Sequence, residues 1–292
     1  MKDTTRLFRA LSALPVVMIV LALCGNVGLS QSQQRLRISM IPTTDPSKLL
    51  RDAQPFVNYV EKRTGAKVMM TIPTNYAAVV EAMANDQVDI AHFGGFTFVQ
   101  ISARAEARPL VQREQDQKFH SLFITQPSSA IRSLKDLNRH TFAFGDVNST
   151  SGHLMPEYFM REAGIDPKVI EKALYTGGHD ATALAVANNK VDAGALDENV
   201  FQNMMKSGRI TERQVKVFWT TPAFFDYVWA ARKGLDAKLV ESFAKALLEL
   251  DGRNPEQKAI LDFLSAAKYV HANDSDYGKL RQAARDAGLM KR

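Results

Sequence analysis

Cysteine occurs once in the 292 residues, as Cys24. Everything after it is closed to disulfides and to cysteine-ligated metals. No dense lysine or arginine run and no interleaving of basic with aromatic residues is present, so nothing supports a nucleic-acid partner. Gly-x-Ser-x-Gly and His-Glu-x-x-His are both missing. No spacing of Ser, His and Asp recommends a catalytic triad. The expectation is a protein without metal or cofactor and without a catalytic residue.

Long apolar runs are also scarce. The one that stands out, Leu11 to Leu23, follows the basic residues Lys2, Arg6 and Arg9 and is too short to span a bilayer comfortably. Residues 1–30 therefore read as an export signal, which directs the chain to a bacterial periplasm or cell envelope. Leu21-Ala22-Leu23-Cys24 resembles a lipoprotein box, although Leu23 is larger than the small residue usual before the lipidated Cys. Cleavage after Gly28-Leu29-Ser30 is the competing reading, and it is preferred here; an uncleaved anchor is a third. Removing residues 1–30 takes +2 of the net charge of +6 and leaves 262 residues, enough for two lobes with real cores.

Beyond a polar spacer, short apolar runs alternate with amphipathic ones. Strands are expected at 36–41, 66–72, 88–93 and 109–113. Helices are expected at 49–63, 76–85 and 97–104. After a strand at 119–125 the alternation restarts: strands 141–144, 172–175, 191–195, 215–219 and 224–231, with helices 154–163, 180–189 and 198–207. Helices at 237–250, 255–265 and 275–286 close the chain. Strands alternating with helices predict parallel βαβ units. The coarse duplication predicts two α/β lobes, 35–124 with 226–292 and 125–225, joined near 119–126 and 219–230. Ligands of open α/β sheets bind outside the carboxyl ends of the strands, so two facing lobes make a cleft.

The most informative motif is Gly145-Asp146-Val147-Asn148-Ser149-Thr150-Ser151-Gly152-His153. Three hydroxyls sit where a strand hands over to a helix, a place rich in unpaired N–H groups and partial positive charge. One hydroxyl suffices for a helix cap; three between glycines also suit an anion. No Lys or Arg lies in the stretch, so an anion here is held by neutral dipoles. Thr74-Asn75-Tyr76 and Thr176-Gly177-Gly178-His179-Asp180 repeat the strand-to-helix pattern. Each also reads as a capped helix or a solvated loop. His92-Phe93-Gly94-Gly95-Phe96 closes another strand, and Asp197, Glu198 and Asp226 put acids at the ends of apolar runs.

Asn75-Tyr76-Ala77 to Met83, Val88-Asp89-Ile90-Ala91, Phe144-Gly145-Asp146 through Ser149-Thr150-Ser151-Gly152, and Gly178-His179-Asp180 to Val186 resemble the phosphonate, phosphite and phosphate binding proteins of ABC importers. The resemblance spans about residues 35–270. It implies a two-lobed α/β fold of the type II periplasmic binding protein class, with a hinge and an interlobe cleft that closes on its ligand. It implies a monomer serving an ABC permease and ATPase, with a small phosphorus oxyanion as ligand. By position it implies that Tyr76, Ser149, Thr150, Ser151 and His179 bind the oxyanion and that Asp226 is an acid on the hinge side, with Glu198 a second acid if one residue is skipped. Phe93 stands where aminoethylphosphonate binders carry Tyr, which weakens an amine-bearing ligand and leaves an apolar face for a P–H or P–CH₃ group. His153 stands where some relatives have Phe, either as an added donor or as part of the first helical turn. The reading favours phosphite or a small alkylphosphonate. A sulfonate, selenate or sulfate binder, or a sensor on the same fold, are the alternatives; Trp219 and Trp229, near the hinge, are expected to report ligand by fluorescence.

Overall fold

A computed structural model describes residues 34–166, 170 and 172–290. The export signal, its cleavage site and Cys24 lie outside the described residues. The chain runs β1 (Arg35–Met40), α1 (Pro46–Asp52), α2 (Gln54–Thr64), β2 (Lys67–Thr71), α3 (Tyr76–Ala84), β3 (Ile90–Phe93), α4 (Gly95–Ala105) and β4 (Arg108–Arg113). It continues through β5 (Ser121–Thr125), β6 (Thr141–Phe144), a π turn at Thr150–Leu154, α5 (Met155–Glu162), β7 (Lys172–Tyr175), α6 (His179–Ala187), β8 (Ala193–Asp197), α7 (Glu198–Lys206) and β9 (Lys216–Thr220). It ends with β10 (Val228–Ala231), α8 (Ala237–Leu248), α9 (Pro255–Phe263), β11 (Tyr269–His271) and α10 (Gly278–Asp286).

The strands form two sheets, ordered β11-β4-β10-β3-β1-β2 and β7-β6-β8-β5-β9. The parallel pairs expected from the alternation are there: β2–β1–β3 in one sheet and β7–β6–β8 in the other. Each sheet also takes in a strand that runs the other way. β10 lies antiparallel between β3 and β4, and β5 antiparallel between β8 and β9. Both are reached by direct passages without a crossover helix, and only a crossover returns the chain in the same direction. The stretch expected to cross near 119–126 is therefore largely β5, paired on both edges in the second sheet. The passages run at 114–120 and 221–227. Phe119 and Phe224 exchange backbone hydrogen bonds of 2.9 and 3.0 Å, and the Asp226 amide donates to the Asp116 carbonyl at 3.0 Å.

Two other local differences have plain causes. The helix expected over 49–63 is split at Ala53, because Pro55 in the first turn of α2 has no N–H to continue a helix from upstream. The Asp45 carboxylate caps α1 from the Lys48 amide at 2.6 Å. β11 has three residues and pairs with β4, some 155 positions away in sequence, so no local period announces it.

Along β10 the side chains alternate between two apolar clusters. Val228 and Ala230 pack with Phe93, Phe96, Phe98 and Tyr277. Trp229 and Ala231 pack with Leu36, Ile38, Phe56 and Phe243. Both faces of the sheet are covered, so its central strands are apolar throughout. The Trp229 ring is fully buried, 5.4 Å from that of Phe56 and 5.3 Å from that of Phe243. Trp219, on β9, is half-buried between Phe123 and Phe159. The first cluster also takes in Leu154, Met155 and Phe159 from the π turn and α5, so it is continuous from one sheet to the other.

Candidate functional site

The motif after β6 folds into a loop tied to itself. The Gly145 amide donates to the Gly152 carbonyl at 2.9 Å, and the Ser149 amide to the Asp146 carbonyl at 2.8 Å. The helix expected at 154 begins earlier, as the π turn. Its wide i→i−5 bond from the Leu154 amide to the Ser149 carbonyl is 3.0 Å. Ser149 caps this turn, its hydroxyl accepting from the Gly152 amide at 3.0 Å, which leaves the hydroxyl hydrogen free to donate. A Cβ on Gly152 would stand 2.9 Å from both the His179 ring and the Ser149 hydroxyl. Only glycine lets the loop and His179 come this close.

Residues from both sheets meet here. The Phe96 amide donates to the Thr150 hydroxyl at 2.9 Å, and the Gly95 amide to Asp226 Oδ1 at 2.9 Å. The first turn of α4 thus holds a hydroxyl from the second sheet and an acid from the passage. A Cβ on Gly94 would approach Thr150 Oγ1 to 2.9 Å. The Tyr76 hydroxyl, at the start of α3, lies 3.3 Å from His179 Nε2 at the start of α6, and also beside the Ser149 hydroxyl. The Tyr76 amide donates to Asp146 at 3.3 Å, and the His179 amide to the Thr43 carbonyl at 3.0 Å. Four helix starts, counting α4, converge here, and protein acceptors take the amides of Tyr76, Gly95, Phe96, Gly152 and His179.

Tyr76, Ser149, Thr150, Ser151, His179 and Asp226 are each no more than 1% exposed, so water is excluded from all six. Two buried oxygens among them, Ser151 Oγ and Asp226 Oδ2, have no hydrogen-bond partner. A buried polar atom left unpaired is costly. Burial pushes the Asp226 carboxyl up to about 7, against the Gly95 amide and Thr150 hydroxyl that lower it; Asp116 and Asp197 add to the rise. Burial lowers His179, against the pull of Asp197, Asp180 and Asp146. Burial, helped by nearby acids, keeps the Tyr76 phenol well above its ordinary range. No lysine or arginine is among the six. Arg113, whose guanidinium lies 4.7 Å from the centre of the Tyr227 ring, is gripped bidentately by Asp116 at 2.6 and 2.8 Å.

Phe93 is fully buried in the apolar cluster that holds Tyr76 and Tyr227. His153, expected beside the anion or in the first turn, belongs to the turn and faces away from the six. Its Nδ1 is 2.7 Å from the Val147 carbonyl, and its Nε2 lies 3.0 Å from Glu157 and 3.1 Å from the Tyr175 hydroxyl. Glu198 is also drawn elsewhere, accepting from the His120 amide at 3.0 Å. The acid turned inward is its neighbour Asp197, which caps α7 from the Val200 amide at 2.8 Å and accepts from the Tyr227 hydroxyl at 2.7 Å. The sequence marked Asp197 as a cap and did not single out Tyr227. Nothing local betrays the contact, since the two are 30 residues apart and on different sheets. On the far side of this pair lies a cavity of about 390 Å³, lined in part by His92, Arg113, Asn199 and Leu264. Asp197 and Tyr227 line it too, and Ser149, Thr150 and Ser151 do not.

Among the described residues no helix is long and apolar enough to cross a membrane, and no group of His, Asp and Glu could hold a metal ion. Residues 38–277 match the family described as ABC transporter, phosphonate, periplasmic substrate-binding protein. A probable phosphite-binding protein of an ABC transporter from Prochlorococcus marinus (strain MIT 9301) is 32% identical over 269 residues, covering 88% of this chain and 91% of that one. The phosphonates-binding periplasmic protein of Escherichia coli (strain K12) is 28% identical over 263 residues, covering 87% and 77%. The 1.52 Å structure of a Prochlorococcus marinus (MIT 9301) protein in complex with methylphosphonate superposes with a TM-score of 0.83 at 30% identity, covering 88% of this chain and 99% of that one.

Proposed function

The chain belongs to the periplasmic phosphonate substrate-binding proteins of ABC transporters, and from that premise we propose that its buried six-residue cluster captures a small phosphorus oxyanion for import. Members of this family bind a solute and hand it on; they are not enzymes. The fold is the mixed α/β type II binding-protein fold of its structural relatives. The single observation that carries the ligand proposal is the pair of unpartnered buried oxygens, Ser151 Oγ and Asp226 Oδ2, among hydroxyl donors and without a cation.

Ser149, Thr150, Ser151 and Tyr76 supply O–H donors, and His179 stands 3.3 Å from the Tyr76 hydroxyl. Asp226 supplies the selective group. A protonated oxygen on a phosphonate or phosphite monoanion donates to the ionised carboxylate; a dianion accepts from the protonated one. Either way one proton is shared between ligand and protein. Sulfate and sulfonates carry no proton near neutrality, so they must face a protonated Asp226 or be repelled. Phe93 and Tyr227 give the site an apolar side suited to a P–H or P–CH₃ bond. The preferred ligands are therefore phosphite and small alkylphosphonates.

The sheets of residues 35–113 with 228–271 and of residues 121–220 act as two lobes hinged on the passages at 114–120 and 221–227. The protein works as a monomer with a permease and an ATPase. Export with cleavage after Ser30 is preferred to lipidation at Cys24. Calorimetry with phosphite, methylphosphonate, aminoethylphosphonate, phosphate and sulfate tests the reading. Tight binding confined to phosphorus oxyanions supports it; tight binding of sulfate, or of none of the five, refutes it.

A further inference from the structure

Asp197 reaches the site at two points, and the directions of its hydrogen bonds are forced. Its backbone amide lies 3.2 Å from His179 Nδ1. An amide N–H only donates, so Nδ1 must accept and the ring hydrogen must sit on Nε2. An imidazolium would set N–H against N–H. Nε2–H then faces two phenol oxygens, that of Tyr76 at 3.3 Å and that of Tyr227 at 3.5 Å. The Tyr227 hydrogen is already committed to Asp197 Oδ2 at 2.7 Å. Tyr227 has little freedom to turn away. His92 stacks on its ring at 5.3 Å and 10°, and the Arg113 guanidinium lies 4.7 Å from the ring centre. The other carboxylate oxygen, Oδ1, is held by the Val200 amide at 2.8 Å, which pins the whole group to the start of α7.

We propose that Asp197 is a positioning residue for the anion site: its amide fixes the tautomer of His179 and its carboxylate fixes the hydroxyl of Tyr227, so that Tyr76 is left as a donor to the ligand. The relay runs one way. The Asp197 amide donates to His179, His179 donates to the Tyr76 oxygen, and the Tyr76 hydrogen points onward. No member carries positive charge, yet each hands its hydrogen toward the anion. The carboxylate bond also joins the two sheets, since Asp197 ends β8 and Tyr227 directly precedes β10. This inference rests on the anion-binding reading for its purpose but not for its geometry.

Nitrogen-15 NMR of the histidine-labelled protein, without and with methylphosphonate, tests the geometry. The His179 ring is expected as the neutral Nε2–H tautomer from about pH 5.5 to 8, a window in which a free imidazole titrates. An Nδ1–H tautomer, or an imidazolium appearing in that range, would overturn the proposal. Asp197→Asn keeps a good helix cap but offers Tyr227 an amide hydrogen in place of an acceptor. Tyr227→Phe removes the other partner. Each is expected to weaken methylphosphonate about tenfold, as for one buried hydrogen bond, and the double variant no more than either alone. Wild-type affinity in Asp197→Asn with unchanged His179 signals, or full additivity, would overturn it too. If the unsubstituted protein fails to bind methylphosphonate, the ligand reading fails, and the tautomer alone still decides this proposal.

Discussion

Replacing Asp226 by asparagine separates proton recognition from charge recognition. Methylphosphonate and methanesulfonate have nearly the same shape, but only the first carries a proton to share. With its carboxyl pushed up to about 7, Asp226 is mostly ionised at pH 8. Methanesulfonate must then have it protonated, at a cost of about 1.4 kcal/mol per pH unit above 7. Affinity of the wild-type protein for methanesulfonate should therefore fall about fivefold from pH 7 to pH 8, and its preference for methylphosphonate should widen accordingly. Asparagine donates at every pH and takes no proton. In Asp226→Asn the preference should shrink to within about tenfold, and methanesulfonate affinity should no longer depend on pH. Calorimetric titration of both ligands at three pH values measures this. Discrimination that survives in the variant, or a wild-type preference that ignores pH, would show that Asp226 does not share a proton with the ligand.

Thr150→Ala and Ser151→Ala should each weaken phosphonate binding by about 1–3 kcal/mol in the same titration; unchanged affinity in both would remove the loop from the site. Gly152→Ala should impair binding more than either and lower the melting temperature, because its Cβ would press on the His179 ring and the Ser149 hydroxyl at 2.9 Å. Without ligand, Asp226 holds its proton more tightly folded than unfolded. Its contribution to stability is thus present below its ordinary value near 3.8 and is lost as pH rises towards about 7; denaturant titrations across that window should show a flatter profile in Asp226→Asn. Ligand-induced fluorescence change should come from Trp219, half-buried against Phe159, so Trp219→Phe should abolish it while Trp229 stays silent in its aromatic packing.

The elements of this fold were largely legible because periodicity is local: runs such as 141–144 and 237–250 fall within a few residues of the observed strand and helix. Strand direction was not legible. The stretches holding β5 and β10 read as crossovers between lobes, and their antiparallel pairing inside the sheets depends on partners far away in sequence. Tyr76, the hydroxyls of 149–151 and His179 stood out because strand-to-helix handovers expose donors in any such sheet, and Asp226 because it ends an apolar run. The sequence left His153 either as an added donor or as part of the first helical turn, and its ring lies against Glu157 and Tyr175. Asp197 was visible only as an acid at the end of an apolar run, and its contact with Tyr227 was not, because the two meet only in the fold.

The proposed site, hydroxyls and an imidazole around the one carboxyl of Asp226 with no lysine or arginine among its six residues, has a consequence for where such a receptor can work. Receptors that rely on exposed cations lose grip as ionic strength rises, since the Debye length shrinks from about 30 Å at 0.01 M to about 3 Å at 1 M. Buried dipoles have no countercharge for dissolved ions to mask. Capture should proceed alike in dilute freshwater and in brine, although the compartment outside the inner membrane follows the composition of its surroundings.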